Sequence, residues 1–276
     1  MTNGLKNAPL GKHSQYIDTY SPNLLFPLLR SEKRLELGIE TDQLPFTGQD
    51  YWTGYEISWL NLKGKPEITL AEFIFPCQSS HLVESKSFKL YLNSFNQSVF
   101  SSSEDVLERM QIDLSAACRA TVNVQFITEE EICQHGIQSL PGICLDTLDI
   151  ECNQYQINPN FIKTKQNMVV NEVLFSNLLK SNCLVTGQPD WGSVWIEYSG
   201  YQLDKEALLK YIISFRNHNE FHEQCVERIF NDLMTQAKCE NLSVYARYTR
   251  RGGLDINPFR STHLIEPKNK HRLFRQ

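Results

Sequence analysis

Phe88-Lys89-Leu90-Tyr91-Leu92-Asn93-Ser94-Phe95 and, about 120 residues later, Leu208-Leu209-Lys210-Tyr211-Ile212-Ile213-Ser214-Phe215 decide how this chain is organised. In each stretch apolar side chains recur at i, i+3, i+4 and i+7, as Phe88, Tyr91, Leu92 and Phe95 and as Leu208, Tyr211, Ile212 and Phe215. That spacing places them on one face of a helix. A second amphipathic helix follows each, through Val106, Met110, Leu114 and Ala117 and through Val226, Ile229, Leu233 and Ala237. Alternating segments before each helix pair (Tyr55, Ile57, Trp59; Val194, Ile196, Tyr198) and after it (Val122, Val124, Phe126; Val244, Ala246, Tyr248) predict strands.

Colinear matches tie the two halves together: Ser94-Phe95 with Ser214-Phe215, Glu108-Arg109 with Glu227-Arg228, Asp113-Leu114 with Asp232-Leu233, Cys118 with Cys239, and Val124 with Val244. Upstream, Gly64 and Pro66 meet Gly187 and Pro189. The chain therefore reads as two diverged copies of one α+β unit, strand, strand, helix, helix, strand. Tight turns such as Thr186-Gly187-Gln188-Pro189-Asp190 imply antiparallel pairing, with the helices packed on one face of the sheet. The expected divisions are an N-terminal extension over 1–50, a first module over 51–165 and a second over 166–276. The polar stretch from about Thr128 to Lys165 forms the junction.

A formal charge of -5 argues against direct nucleic-acid binding, which needs a basic surface to displace counterions. Positive charge gathers only from Arg247 onward, where Arg247, Arg250, Arg251 and Arg260 can serve a phosphate-bearing ligand and Lys268 to Arg275 read as a solvated tail. Met1 to Ser14 lack the apolar core of a secretory signal and no apolar run has membrane-spanning length, so a cytoplasmic location is expected. The eight cysteines have no spacing that suits a structural zinc site, and no metal is expected. Each is by default a small buried hydrophobe.

Three constellations depart from that default. A constant-offset comparison sets Leu60 opposite Cys183 and Glu67 opposite Asp190. Cys183 either fills a leucine's place in the core or is a nucleophile whose proton traffic runs through Asp190, itself also an ordinary turn residue after Pro189. His222 shares a stripe with Val226, Ile229 and Leu233 and should face the sheet, either as a core histidine or, with Glu223, as a recognition pair for a polar heterocycle. Glu223 is equally a first-turn acid. Finally, Glu84-Ser85-Lys86-Ser87-Phe88-Lys89-Leu90-Tyr91 starts a helix that Ser85 can cap, where amides, Lys86 and Lys89 suit an anion or simply meet solvent. No glycine-rich dinucleotide fingerprint follows a strand.

Together with Ser181-Asn182-Cys183-Leu184, Gln188-Pro189-Asp190-Trp191-Gly192, Phe221-His222-Glu223-Gln224 and Tyr248-Thr249-Arg250-Arg251-Gly252-Gly253-Leu254-Asp255-Ile256-Asn257-Pro258, the segment from Glu84 to Tyr91 resembles the 7-cyano-7-deazaguanine reductases. These are NADPH-dependent nitrile reductases of queuosine biosynthesis, a tRNA modification pathway, and the likeness is to their longer, two-module form. The resemblance implies a tandem pair of tunnelling-fold (T-fold) units in a homodimer. It implies that Cys183 attacks the nitrile carbon to give a covalent thioimidate, with Asp190 as proton donor. It gives Val83, Glu84, Ser85, Phe221, His222 and Glu223 to the deazaguanine, with Phe221 as a lid. Ser85, Lys86, Arg251 and Gly252 go to NADPH, of which two are consumed per turnover. Because these positions come from both copies, it implies a site formed where they meet. The competing readings are a purine or pterin hydrolase, since related tunnelling folds include GTP cyclohydrolases, and a non-catalytic purine-binding protein in which Cys183 is core.

Overall fold

The two stretches that open the sequence reading are helical, and hydrogen bonds at their ends repeat from one copy to the other. A computed structural model describes residues 16–267 and 270–276. The polar stretch Met1 to Ser14 and Lys268 lie outside the described residues. The chain divides into two compact units, one holding residues up to Gln43, Gln49–His135 and Arg250–Asp255, the other Leu44–Gly48, Gly136–Thr249 and Ile256–Gln276.

The first unit carries β1 (Pro27–Leu29), α1 (Arg30–Glu36), β2 (Thr47–Leu60), β3 (Pro66–Pro76), β4 (His81–Val83), α2 (Ser85–Asn93), α3 (Ser103–Cys118), β5 (Asn123–Ile127) and α4 (Glu129–His135). Its strands β2, β3 and β5 pair antiparallel, and β1 pairs antiparallel with β4. The second unit carries β6 (Ile143–Cys144), β7 (Thr164–Asn182), β8 (Pro189–Leu203), α5 (Lys205–Ser214), α6 (His222–Ala237), β9 (Asn241–Tyr248) and β10 (Leu254–Ser261). There β7, β8, β9 and β10 run antiparallel in that order, and β6 adds to β7 in parallel. Strand, strand, helix, helix, strand is thus present twice, as the tandem α+β expectation requires.

Side-chain bonds repeat as well. Tyr91 Oη donates to Asp113 Oδ2 at 2.8 Å, and Tyr211 Oη donates to Asp232 Oδ2 at 2.6 Å. Ser94 Oγ and Ser214 Oγ each donate to the carbonyl three residues back, at 2.6 Å. Both long helices end on a non-glycine residue in the left-handed region, Arg119 (φ 55) and Lys238 (φ 52). The helices bury the stripes their spacing predicts: Phe88 sits among the rings of Trp52, Phe73 and Phe75, and Val106, Met110 and Leu114 are inaccessible to solvent. Cys118, rather than Ala117, completes that last stripe. Among the described residues no helix is long and apolar enough to cross a membrane.

Two readings change. The β2–β3 ladder closes at Leu60 opposite Pro66 and the β7–β8 ladder at Asn182 opposite Pro189, and Leu60 and Asn182 bridge to Val99 and Asn219 in the same parallel manner. Leu60 therefore corresponds to Asn182, and the counterpart of Cys183 is Asn61. The second turn spans 183–188 where the first spans 61–65, so a constant offset slips by one residue. Glu67 and Asp190 do correspond, each standing across from the penultimate ladder residue, Trp59 and Ser181. The end of the chain is also not a solvated tail. Leu273 and Gln276 are buried, Gln276 Nε2 donates to Tyr248 O at 3.1 Å, and Arg275 lies over the Trp191 ring with its guanidinium carbon 5.4 Å from the centroid.

Candidate active site

The pleat of β8 decides which side chains reach α6. Alternation puts Asp190, Gly192, Val194 and Ile196 on one face and Trp191 and Trp195 on the other. Helix α6 carries His222, Cys225, Val226, Ile229 and Leu233 at helical spacing on its inner stripe. Asp190 thus faces the start of α6, and His222 Nε2 stands 3.7 Å from Asp190 Oδ1. The imidazole meets the Tyr248 ring edge-on, centroids 4.2 Å apart, so it points to the sheet as its stripe predicts. Tyr248 faces Gly192 across the β8–β9 ladder. A Cβ at Gly192 would come within 3.0 Å of that ring, tight enough that the ring would have to move.

Cys183 heads the β7–β8 turn. Its amide donates to Gln188 O at 2.8 Å and its carbonyl accepts from Gly187 N at 3.0 Å, which holds the thiol-bearing residue in place. In the first copy Asn61 makes the same two turn bonds, and its amide side chain additionally donates to Glu67 Oε1 at 2.7 Å and accepts from Lys63 N and Lys65 N. The paired positions that hold an amide and a carboxylate in the first copy hold a thiol and a carboxylate in the second. Cys183, Asp190 and Glu223 are all buried, at 5%, 6% and 3% exposure. Phe221 and His222 are half-buried.

The loop leading into α6 is fixed by Glu220, which residue types alone did not mark out. Its carboxylate accepts from Arg228 Nε and Nη2 at 3.0 and 2.7 Å and bonds His218 Nε2 at 3.0 Å, while its amide donates to Asn182 O beside Cys183. Burial opposes its ionisation, but His218 and Arg228 outweigh that and hold the carboxyl below the usual carboxylate range. A depressed folded-state pKa contributes stability that is complete above the ordinary value of about 4.3 and lost as pH falls through the lowered one. Glu220→Gln should therefore cost about 2 kcal/mol near neutrality, as for a buried charged hydrogen bond. In urea unfolding at a series of pH values, its deficit against the parent should shrink below about pH 4. A deficit that stays constant into acid would show that the ionised carboxylate is not what holds the loop.

Sequence reasoning also missed the ground beneath Asp190. Ser181, Cys225 and Tyr248 are fully buried polar residues gathered between the sheet and α6. Burial pushes the Cys225 thiol and the Tyr248 hydroxyl well above their ordinary values; Glu220 adds to the rise at Cys225 while Ser181 and Tyr248 oppose it, and Cys225 and Asp190 add to the rise at Tyr248. The available signals were the place of Cys225 at i+3 from His222 and of Tyr248 on the alternating strand.

In the first unit the other anticipated residues cluster at the start of α2. Val83 and Glu84 are buried, and Ser85 and Lys86 half-buried. Glu84, not Ser85, is the cap: its two carboxylate oxygens accept from Lys86 N at 2.7 Å and Ser87 N at 2.8 Å. The longer acid reaches two amides where a serine hydroxyl satisfies one. Burial raises the Glu84 carboxyl, against the pull of those amides and of Lys89 and Lys86. A cavity of about 240 Å³ opens beside it, lined by Glu56, Lys86, Lys89, Gly252 and Gly253 among others. Gly252 (φ 59) and Gly253 (φ 69) are both left-handed, and a Cβ at Gly253 would overlap the Glu56 carboxyl. Arg251 closes the same turn, its amide donating to Leu254 O at 2.9 Å. Lysines over a glycine turn at a helix start suit a phosphate-bearing ligand. Among the described residues no group of three or more His, Cys, Asp or Glu side chains is arranged to hold a metal ion.

Known proteins resemble the chain in both of its units. Residues 16–126 match the family model described as nitrile reductase, 7-cyano-7-deazaguanine-reductase N-term, and residues 189–267 match the QueF-like protein model. An NADPH-dependent 7-cyano-7-deazaguanine reductase of Hydrogenovibrio crunogenus is 57% identical over 97% of this chain and 96% of its own length. One of Delftia acidovorans is 54% identical over 94% of each chain, and one of Cupriavidus metallidurans 54% identical over 98% and 99%. The solved archaeosine synthase QueF-Like in the apo form overlaps 37% of this chain at 17% identity and a TM-score of 0.31, too slight a likeness to bear on the fold. Matched by family models in both units and by relatives along nearly its whole length, the chain belongs to the oxidoreductase family of NADPH-dependent 7-cyano-7-deazaguanine reductases.

Proposed function

We propose that this protein reduces the nitrile of 7-cyano-7-deazaguanine to the primary amine 7-aminomethyl-7-deazaguanine, for queuosine biosynthesis, through a thioimidate on Cys183. The observation that carries the reading is the exchange at one turn position: Asn61, a turn-stabilising amide in the first copy, is replaced in the second by a thiol whose cross-turn acid, Asp190, faces His222 at 3.7 Å. Nothing in the turn's own bonding calls for a cysteine there.

The chemistry follows from the parts. A nitrile accepts hydride poorly; Cys183 passes its thiol proton to the Asp190 carboxylate, and addition of the thiolate to the nitrile carbon forms a C–S bond while C≡N becomes C=N. Asp190 gives its proton to the nitrile nitrogen, and His222 lies where it can steady the resulting carboxylate. NADPH supplies a hydride when bound, and two are needed to reach the amine. Between the two reductions Sγ departs as thiolate, and Phe221 at the head of α6 shields the imine from water. Glu223 accepts hydrogen bonds from the guanine-like N–H groups. Val83, Glu84 and Ser85 are assigned to the same purine by the resemblance. Ser85, Lys86, Arg251 and Gly252 hold NADPH, with Lys89 and Gly253 lining the same cavity as Lys86 and Gly252. The reading further includes a cytoplasmic homodimer that uses no metal and binds neither nucleic acid nor membrane.

Mass spectrometry of the intact protein tests this directly. Incubated with the nitrile and no NADPH, the protein should gain the mass of one nitrile per chain, and later addition of NADPH should remove it. A protein that turns the nitrile over yet never carries the adduct would sink the covalent route. One that neither binds nor consumes it would favour a non-catalytic role.

A further inference from the structure

We infer that Tyr248 is a positioning residue for the Asp190–His222 pair, its ring propping the imidazole and its hydroxyl held dry as a donor to the ionised Asp190 carboxylate. The inference rests on the proposed function for its catalytic consequence, but its geometry stands apart from that reading. Tyr248 is inaccessible to solvent, and its ring contacts His222 edge-on at 4.2 Å. It faces Gly192, two residues along the same strand face from Asp190. Its backbone is pinned from both sides, the amide donating to Asn257 Oδ1 at 3.1 Å and the carbonyl accepting from Gln276 Nε2 at 3.1 Å. Gln276 Nε2 also donates to Asn257 Oδ1 at 2.9 Å, which closes the triangle. So large a side chain, fixed at its base and given room by a glycine, has little freedom to turn.

Its hydroxyl is the unusual part. The Tyr248 and Ser181 hydroxyls are buried without a hydrogen bond of ordinary geometry. Their neighbour is the Cys225 thiol, a weak donor and acceptor. A buried hydroxyl left that way costs stability, so the fold has reason to exclude it unless the group is used. Proton donation by Asp190 creates the demand, because it leaves a carboxylate in a place with little water. Among the titratable and charged groups that act on Asp190 are His222 from α6, Tyr248 from β9 and Lys180 from β7, and Cys225 lies beside Tyr248. Of these, Tyr248 is the neutral donor that stays protonated across the working pH range.

Tyr248→Phe in the full chain is the test, since it keeps the ring and the backbone pins and removes only the hydroxyl. With the histidines isotope-labelled and His222 assigned from a His222→Asn variant, its NMR titration midpoint should fall by at least about 0.5 unit, because a carboxylate that loses a donor ionises less readily. That readout needs no activity, so it decides the inference even if the parent does not reduce the nitrile. In an active parent, kcat should drop about tenfold with KM for the nitrile within about twofold, the pattern of a misplaced proton donor rather than of lost binding. The acid limb of the pH–rate profile should move with it. An unchanged His222 midpoint in a variant of normal thermal stability overturns the inference, as does an unchanged kcat and pH profile where the parent is active. The latter leaves the proposed function standing.

Discussion

Cys183→Ala lowers nitrile-dependent NADPH consumption by on the order of 10⁴-fold or more and abolishes the mass adduct, while the protein stays folded. The size follows from the role: without a nucleophile the reaction loses its intermediate, and what is left is catalysis by positioning alone. Folding is spared because both turn bonds at this residue are made by its backbone, to Gln188 O and from Gly187 N, and alanine keeps them. The lost sulfur leaves a small void, worth about 1 kcal/mol. Cys133→Ala, at an exposed thiol, is the matched control and should consume NADPH at the parent rate. A Cys183→Ala protein that still turns over would return Cys183 to the core-packing reading and remove the thioimidate.

Glu223→Leu weakens binding of the deazaguanine about 100-fold or more, in line with the 2–5 kcal/mol that follows removal of one member of a buried charged hydrogen-bonded pair. Its thermal midpoint should move little. The competing account, a first-turn acid that steadies the helix dipole, has its own example in the same molecule. Glu104 occupies the second position of α3 as Glu223 does of α6, and Glu104 is exposed whereas Glu223 is 3% exposed. An acid serving the dipole alone loses nothing by facing water and contributes at most about 1 kcal/mol there. Burying it is a cost that a ligand with N–H groups to offer would repay. Calorimetry with the purine and a melting curve separate the two, since normal affinity with a lowered midpoint makes Glu223 structural.

Much of the organisation was legible in the chain because amphipathic spacing is a local property. Tyr91 and Tyr211 declared the repeat, and the bonds to Asp113 and Asp232 bear it out. Registers were less legible. One extra residue in the second turn shifts the counterpart of Cys183 from Leu60 to Asn61, and only the ladder ends reveal it. That correction sharpens the case, because a hydrogen-bonding asparagine is a more telling partner for a thiol than a leucine. What depended on distant contact could not be read: the docking of Leu273 and Gln276, the Glu220–Arg228 brace, and the gathering of Ser181, Cys225 and Tyr248 from three elements. Their residue types are ordinary, and only the fold brings them together. Glu84 was found as a site candidate but its capping role was given to Ser85, since a glutamate's reach around a helix start is set by backbone geometry rather than by residue preference.

Arg275 bears on a practical matter. Its guanidinium and that of Arg216 lie 5.4 and 5.5 Å from the Trp191 ring centroid, so the indole next to Asp190 in sequence is flanked by two cations. Trp52, Trp59 and Trp195 are at most 5% exposed, whereas Trp191 is half-buried. Indole emission is sensitive to nearby charge and hydration, so the light from this chain that changes with its surroundings comes mainly from one ring, on the face of β8 opposite Asp190 and covered by the chain's last residues. Undocking of the chain end that carries Arg275 can be followed in the unlabelled protein by its own fluorescence.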